Sequence, residues 1–329
     1  MNSKKKIIVT GGAGFIGSHL VDLLVKKNYE VIIIDNLTTG ALKNLKLSIK
    51  KIRLVKKDII HINKNDPIFK NCYAIFHLAG IADIVPSIED PKKYFKTNFM
   101  GTLNILESVR FNKIKKIIYA ASSSCYGLAK TPTAEDHKIK CKYPYAMSKY
   151  MGEELIKHWS QVYNIKYISI RIFNAFGERC KTKGAYGSVI GVFMRQILGK
   201  KRLTVVGNGL QKRDYIYVTD VANAFYLAMK SNKNNQVYNL GSSRPISINQ
   251  LIKNLNYEKK IKIPIRKNEP FITFANTKKI KRELNWRPKI RFENGIKIIL
   301  KNISQWSNAP LWNPKRIKKA TALWHNYMK

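Results

Sequence analysis

Tyr145 and Lys149 stand four residues apart in Tyr145-Ala146-Met147-Ser148-Lys149. On a helix that spacing sets both side chains on one face, one turn apart. A free tyrosine, with a pKa of about 10, is too weak an acid to work as a base at neutral pH. A neighbouring ammonium, helped by a positive nicotinamide ring, favours the phenolate and lowers that value. The pair therefore suits removal of a proton from a hydroxyl. Alone it says little, because Tyr-x-x-x-Lys is a common helix-surface spacing. It is preceded, however, by Ala120-Ala121-Ser122-Ser123-Ser124-Cys125-Tyr126-Gly127 at the end of an apolar run. Serine hydroxyls exposed at the carboxyl end of a strand can donate and accept hydrogen bonds at once.

A second pattern, Thr10-Gly11-Gly12-Ala13-Gly14-Phe15-Ile16-Gly17, joins a short apolar strand to a helix. Glycine permits the tight turn, the approach of backbone N–H groups to a pyrophosphate, and close packing of helix on sheet. The positive end of the helix dipole then faces the phosphates. Asp35 ends the next strand, about twenty residues on, where a carboxylate accepts from ribose hydroxyls and repels a 2′-phosphate. Together these predict a dinucleotide site that prefers NAD to NADP.

The elements that must hold these groups are legible too. Apolar strands are predicted at 6–10, 30–35, 52–55, 74–78, 116–120 and 167–171, with helices over 15–27, 97–112 and 146–163. Continuous β-branched strands alternating with helices predict an α/β fold, a doubly wound parallel sheet covered on both faces. After about residue 174 the alternation loosens, with Gly184, Gly187, Gly191, Gly207 and Gly209 placed in loops. We therefore expect a dinucleotide-binding domain over 1–173, a returning segment near 215–240, and a smaller C-terminal substrate-binding region over 174–329.

With these residues in order, the chain resembles the extended short-chain dehydrogenase/reductase family, in its nucleotide-sugar epimerase and dehydratase members. The resemblance runs from about Lys6 to Phe292. It also covers Asp58-Ile59, His77-Leu78-Ala79-Gly80, Asn98, Arg171-Ile172-Phe173-Asn174, Gln211-Lys212-Arg213-Asp214-Tyr215 and Glu283-Leu284-Asn285-Trp286-Arg287-Pro288. It implies a Rossmann-like fold with NAD held by Gly11, Gly14, Phe15, Ile16, Gly17, Asp35, Asn36, Asp58, Ile59, Leu78, Ala79, Asn98, Tyr145 and Lys149. Tyr145 would be the general base, Lys149 would lower its pKa, Ser122 would bind the reacting hydroxyl and Ser124 would assist. Asn174, Arg213 and Arg266 match positions that hold the nucleotide diphosphate, where paired guanidiniums suit a pyrophosphate. Ser87, Val189 and Thr273 would complete the substrate site.

The same resemblance bears on the reaction. Sugar 4,6-dehydratases carry an Asp-Glu pair directly after the Ser or Thr, and UDP-glucuronate decarboxylases a Glu at the second of those positions; here they are Ser123 and Ser124. A 4-keto sugar without a neighbouring acid or base is left to be reduced on its other face, which implies 4-epimerisation of a UDP-hexose. Gly184-Ala185-Tyr186 with Val189-Ile190 is similar to epimerases that accept N-acetylated UDP-sugars. A small Thr273 would leave room near C2. Dehydration or decarboxylation stays open should a carboxylate arrive from elsewhere in the fold. A homodimer is implied, through helices near 97–112 and 146–163, and a part in making surface polysaccharide.

Composition adds a charge of +41, from 61 Lys plus Arg against 20 Asp plus Glu. A non-catalytic nucleic-acid binder on the same fold is the alternative of a different class. The excess is scattered, with no run of five consecutive basic residues, so it reads as a solvated surface without a specific nucleic-acid partner. Four cysteines without paired spacing suit a reducing cytoplasm. No segment nears the ~20 apolar residues of a membrane span, and the N-terminal apolar run breaks at Thr10-Gly11-Gly12, too early for a secretory leader. The histidines make no metal-ligand cluster. Trp286, Trp306, Trp312 and Trp324 read as packing residues, and the basic tail after about Ala309 as an amphipathic helix lying on the body.

Overall fold

The computed structural model describes residues 4–180, 188–266 and 268–327. Gly184, Gly187 and the Gly184-Ala185-Tyr186 motif lie outside the described residues. The first six strands are β1 (Lys6–Thr10), β2 (Glu30–Asp35), β3 (Ile52–Lys56), β4 (Cys72–His77), β5 (Lys116–Ser122) and β6 (Lys166–Ile172). Then β7 (Asn174–Phe176), β8 (Leu203–Val206) and β9 (Lys212–Tyr217) leave the sheet, and β10 (Gln236–Leu240) returns to it. β11 (Pro245–Ser247), β12 (Lys260–Ile263) and β13 (Ile272–Thr273) follow. Among the described residues the central sheet has seven strands, all parallel, in the order β10-β6-β5-β4-β1-β2-β3.

Both faces of that sheet are covered, as its unbroken apolar strands require. Leu20 and Leu24 of the helix Phe15–Lys26 and Val221 and Phe225 of the helix Val218–Lys230 pack one face. Ile105, Leu106 and Ile156 of the helices Gly101–Phe111 and Pro144–Tyr163 pack the other. The chain winds outward from β1 to β3, then crosses back to β4 and winds the opposite way. That reversal between β1 and β4 opens a crevice at their carboxyl ends, where doubly wound folds bind ligands.

The remaining strands form smaller sheets over this crevice. β9 is flanked by β11 and β13 and also pairs with β7, while β8 pairs with β12. Phe176, Phe193, Tyr215, Leu251, Ile296 and Trp306 form their shared core. Trp286 is fully buried and its indole N–H donates to the Asp220 carbonyl. Gly191, expected in a loop, lies inside the helix Val189–Leu198. Its neighbours Ile190, Val192, Phe193 and Met194 bury an apolar face, and that burial outweighs the helix penalty of one glycine.

Candidate functional site

One cavity of about 790 Å³ follows the crevice from the glycine loop to β13. At its dinucleotide end Gly11 has φ +68°, and a Cβ there would lie 2.7 Å from the Ala79 amide nitrogen. A Cβ at Gly17 would overlap the Gly11 carbonyl. Glycine at these two positions lets the turn after β1 close against the turn after β4 and the start of the helix. No side chain caps the helix Phe15–Lys26, so its first N–H groups can meet a phosphate. The Asp35 carboxylate is fixed by the Ala13 N–H at 2.9 Å and the Leu37 N–H at 2.8 Å. Burial pushes its pKa up against those two bonds. Asp58 accepts from the Ile60 N–H at 3.0 Å and from the Asn36 side chain at 2.7 Å. Gly14, Phe15, Ile16, Ile59, Leu78 and Ala79 complete this wall. The uncapped helix end, the glycine turn and the fixed carboxylate fit a dinucleotide.

Tyr145 follows Pro144, the first residue of the helix Pro144–Tyr163, whose fixed φ suits a helix start. Its hydroxyl donates to Ser122 Oγ at 3.1 Å, and Ser122, the last residue of β5, also accepts from the Ser124 N–H at 3.2 Å. Lys149 lies one turn on, its Nζ 4.2 Å from the centre of the Tyr119 ring, a cation–π contact. The Tyr119 hydroxyl donates to the Lys149 carbonyl at 3.1 Å. Glu153, a turn further, is clamped by Arg171 of β6 at 2.6 and 3.1 Å, which ties the helix to the sheet.

Burial dominates the charges at this end. Burial pulls Lys149 down to about 7, with Glu153 opposing in part. Burial also pushes the Tyr145 phenol up, against the Ser122 hydrogen bond, and the Asp83 carboxylate raises it further. In the protein alone the loss of hydration outweighs any help from the ammonium.

Asn98 and Ser87 do not line the cavity. Asn98 is buried behind it, accepting from the Ile81 N–H at 2.9 Å and donating to the Ile81 carbonyl and to Ser148 Oγ, each at 3.0 Å. It thereby pins the turn after β4 to the helix that carries Tyr145 and Lys149. Ser87 is fully buried, and its hydroxyl donates to the Ile84 carbonyl at 2.6 Å within its own helical turn.

The opposite wall comes from the second region. Asn174 on β7, Val189, Arg213 on β9, Arg266 and Thr273 on β13 all face the cavity. Arg213 and Arg266 share the Glu269 carboxylate at 2.8 and 2.7 Å, and Thr273 sits beside Arg213 in register. Asp83, Tyr143, Glu269 and Trp324 also line the cavity, the first three not singled out from sequence and Trp324 read there only as a packing residue. Glu269, three residues past Arg266, and Asp83, in the turn after His77-Leu78, had a positional signal; Trp324 had none. His77 is buried between the Thr10 and Thr102 hydroxyls at 2.7 and 2.9 Å. Among the described residues no group of three or more His, Cys, Asp or Glu could hold a metal, and no helix is long and apolar enough to cross a membrane.

A doubly wound sheet with a glycine turn and an acidic strand end at its crevice is the architecture of a dinucleotide-binding protein. Residues 7–241 match the NAD dependent epimerase/dehydratase family, and the chain belongs to it, with NAD as cofactor. It is 38% identical to a Methanocaldococcus jannaschii protein that carries the provisional name UDP-glucose 4-epimerase, over 89% of this chain and 97% of that one. It is 32% identical to the UDP-N-acetyl-alpha-D-glucosaminuronate decarboxylase of Bacillus cytotoxicus, over 89% and 96% of the two chains. Among solved structures it superposes on the UDP-N-acetylglucosamine 4-epimerase of Methanobrevibacter ruminantium, in complex with UDP-N-acetylmuramic acid, with a TM-score of 0.85. That match has 30% identity and covers 91% of this chain and 99% of the other.

Proposed function

We propose that the protein is a 4-epimerase of a UDP-hexose, taking UDP-glucose and UDP-galactose or their N-acetylhexosamine counterparts. The observation that carries this is the segment after Ser122, where Ser123 and Ser124 line the cavity in place of an Asp-Glu pair. Bound NAD supplies a reversible hydride acceptor at the sugar C4, and its positive ring favours the Tyr145 phenolate. Tyr145 then takes the C4 hydroxyl proton, with Ser122, 3.1 Å from its hydroxyl, holding the same oxygen. Neither Ser123 nor Ser124 brings a carboxylate that could add or remove a proton at neighbouring carbons. The 4-keto sugar is therefore left to turn over, regain its hydride on the other face and recover its proton from Tyr145, which gives the opposite configuration at C4. Arg213 and Arg266 bring two positive charges against the single charge of Glu269, and the surplus, with Asn174, suits a diphosphate. Thr273 keeps that wall open enough for an N-acetyl group.

Two nucleotide sugars test this directly. Purified protein incubated with UDP-glucose and with UDP-N-acetylglucosamine, without added reductant, is expected to yield the C4 epimer in proton NMR spectra with no net NADH. A 4-keto, 6-deoxy product or released carbon dioxide from a uronate would overturn it. Tyr145→Phe should cut turnover by about 10²–10⁴-fold, the usual worth of a general base, and leave UDP-sugar affinity near that of the unaltered protein. Asp83 favours a second reading. It is, among the described residues, the one carboxylate whose charge acts on Tyr145, and it could serve dehydration or decarboxylation.

A further inference from the structure

We propose that Trp324, in the C-terminal strap, is a wall and positioning residue of the sugar site; the inference rests on the nucleotide-sugar reading. The strap lies past residues 7–241, which match the family. It leaves the second region through the helix Pro314–Ala320, started by Asn313, whose side chain accepts from the Arg316 N–H at 2.9 Å. Ile317 anchors that helix in the second region's core. Thr321 ends it, bonded to the Ile317 carbonyl, and the helix Ala322–Tyr327 crosses to the helix Ile84–Glu89 of the first domain. The tail therefore spans the two walls of the crevice.

What it buries there is specific. Trp324 is 4% exposed and packs with Ile84, Val85, Ile88 and Tyr143. Its ring centre lies 6.1 Å from that of Tyr143, which in turn lies parallel to Tyr145 at 6.4 Å, with 6° between the planes. Burial raises the Tyr143 phenol, and its hydrogen bond with Ser124, two residues past Ser122, opposes that shift. Trp324, Tyr143 and Tyr145 all line the same cavity. A strap that served stability alone would bury its tryptophan in the body of the fold; this one is set on the residue stacked against the base. Trp324 closes the sugar end of the cavity, holds Tyr143 against Tyr145, and bounds the space beside Ser124 where the ring substituents next to C4 must fit.

The test compares full-length protein, Trp324→Ala and Trp324→Leu, loaded with NAD, by calorimetric titration with UDP, UDP-glucose and UDP-N-acetylglucosamine, alongside thermal unfolding. We expect UDP affinity to stay within about twofold, while the added affinity that the sugar gives falls about tenfold, the scale of losing one buried aromatic contact. KM for the sugar nucleotides should rise by a similar factor. Trp324→Leu keeps the apolar contact with Val85, and carries the same comparison should the alanine variant unfold. An unchanged ratio of UDP-sugar to UDP affinity in a folded variant would overturn the proposal. Unaltered protein that binds UDP but gains nothing from the sugar would instead sink the nucleotide-sugar reading, and this inference with it.

Discussion

Tyr145 and Lys149 each resist charge because each is buried, and the carboxylate of Asp83 adds to the resistance of the phenol. A base must be deprotonated to act, so the rate should climb with pH through the Tyr145 ionisation. Asp83 raises that ionisation, and its removal should move the acid-side limb of the profile toward lower pH. Asp83→Asn in an epimerase should therefore keep its product and gain activity at pH 6 relative to pH 9. If Asp83 were instead the acid or base of a dehydration or decarboxylation, the same variant should lose about 10²–10⁴-fold at every pH. A pH–rate series with product analysis separates the two, and an unmoved limb would remove Asp83 from the electrostatics of the base. The result turns on a residue whose neighbourhood is made only by the fold, since 62 positions separate it from Tyr145.

Among the elements, the turn after β1 is held by contacts that tolerate no Cβ. Gly17→Ala would place a methyl group into the Gly11 carbonyl, and relief must come from moving the first turn of the helix Phe15–Lys26. NAD affinity should fall at least about tenfold, as expected when a pre-formed site must pay more than 1.4 kcal/mol to form, while the far-UV circular dichroism stays unchanged. An alanine variant with full NAD affinity would show that the amides of this turn do not carry the pyrophosphate. This turn, the seven-strand sheet up to β6 and the Tyr145–Lys149 helix were legible in sequence, because buried parallel strands are written as continuous apolar runs and a loop-to-helix glycine pattern is local. The second region was not. β7 and β13, three and two residues long, are too short for any period to register, and each pairs with β9 from a distant segment of the chain. Ser87 shows the same limit in one residue, since only the orientation of the helix Ile84–Glu89 decides that its hydroxyl turns inward. The Glu269 bond to Arg213 likewise depends on a loop and a strand meeting, which no spacing records.

At the scale of the whole molecule, a formal charge of +41 works against self-association, yet apolar side chains are left uncovered on two neighbouring helices. Phe111 is 53% exposed and Val162 55%, with Met100, Met147 and Tyr163 also in the open. They lie on or beside the helices Gly101–Phe111 and Pro144–Tyr163, joined at one end by Arg110 over the Tyr163 ring and by the Trp159 indole donating to Glu107. Scattered exposed leucines or valines are ordinary on a monomer, but a run of them on one helix pair suits an interface between two copies. We expect a homodimer joined through this face, burying about 800 Å² per partner if it is of standard size. Like-charge repulsion between two such basic chains is screened by salt, so association should strengthen from 20 mM to 300 mM sodium chloride, the reverse of binding to nucleic acid. Sedimentation equilibrium across that range should show the dimer gaining, and Phe111→Glu with Val162→Glu should leave monomers that still bind NAD. A protein that stays monomeric at every salt concentration would refute the shared face, and dissociation on adding salt would place charge rather than apolar burial at the contact.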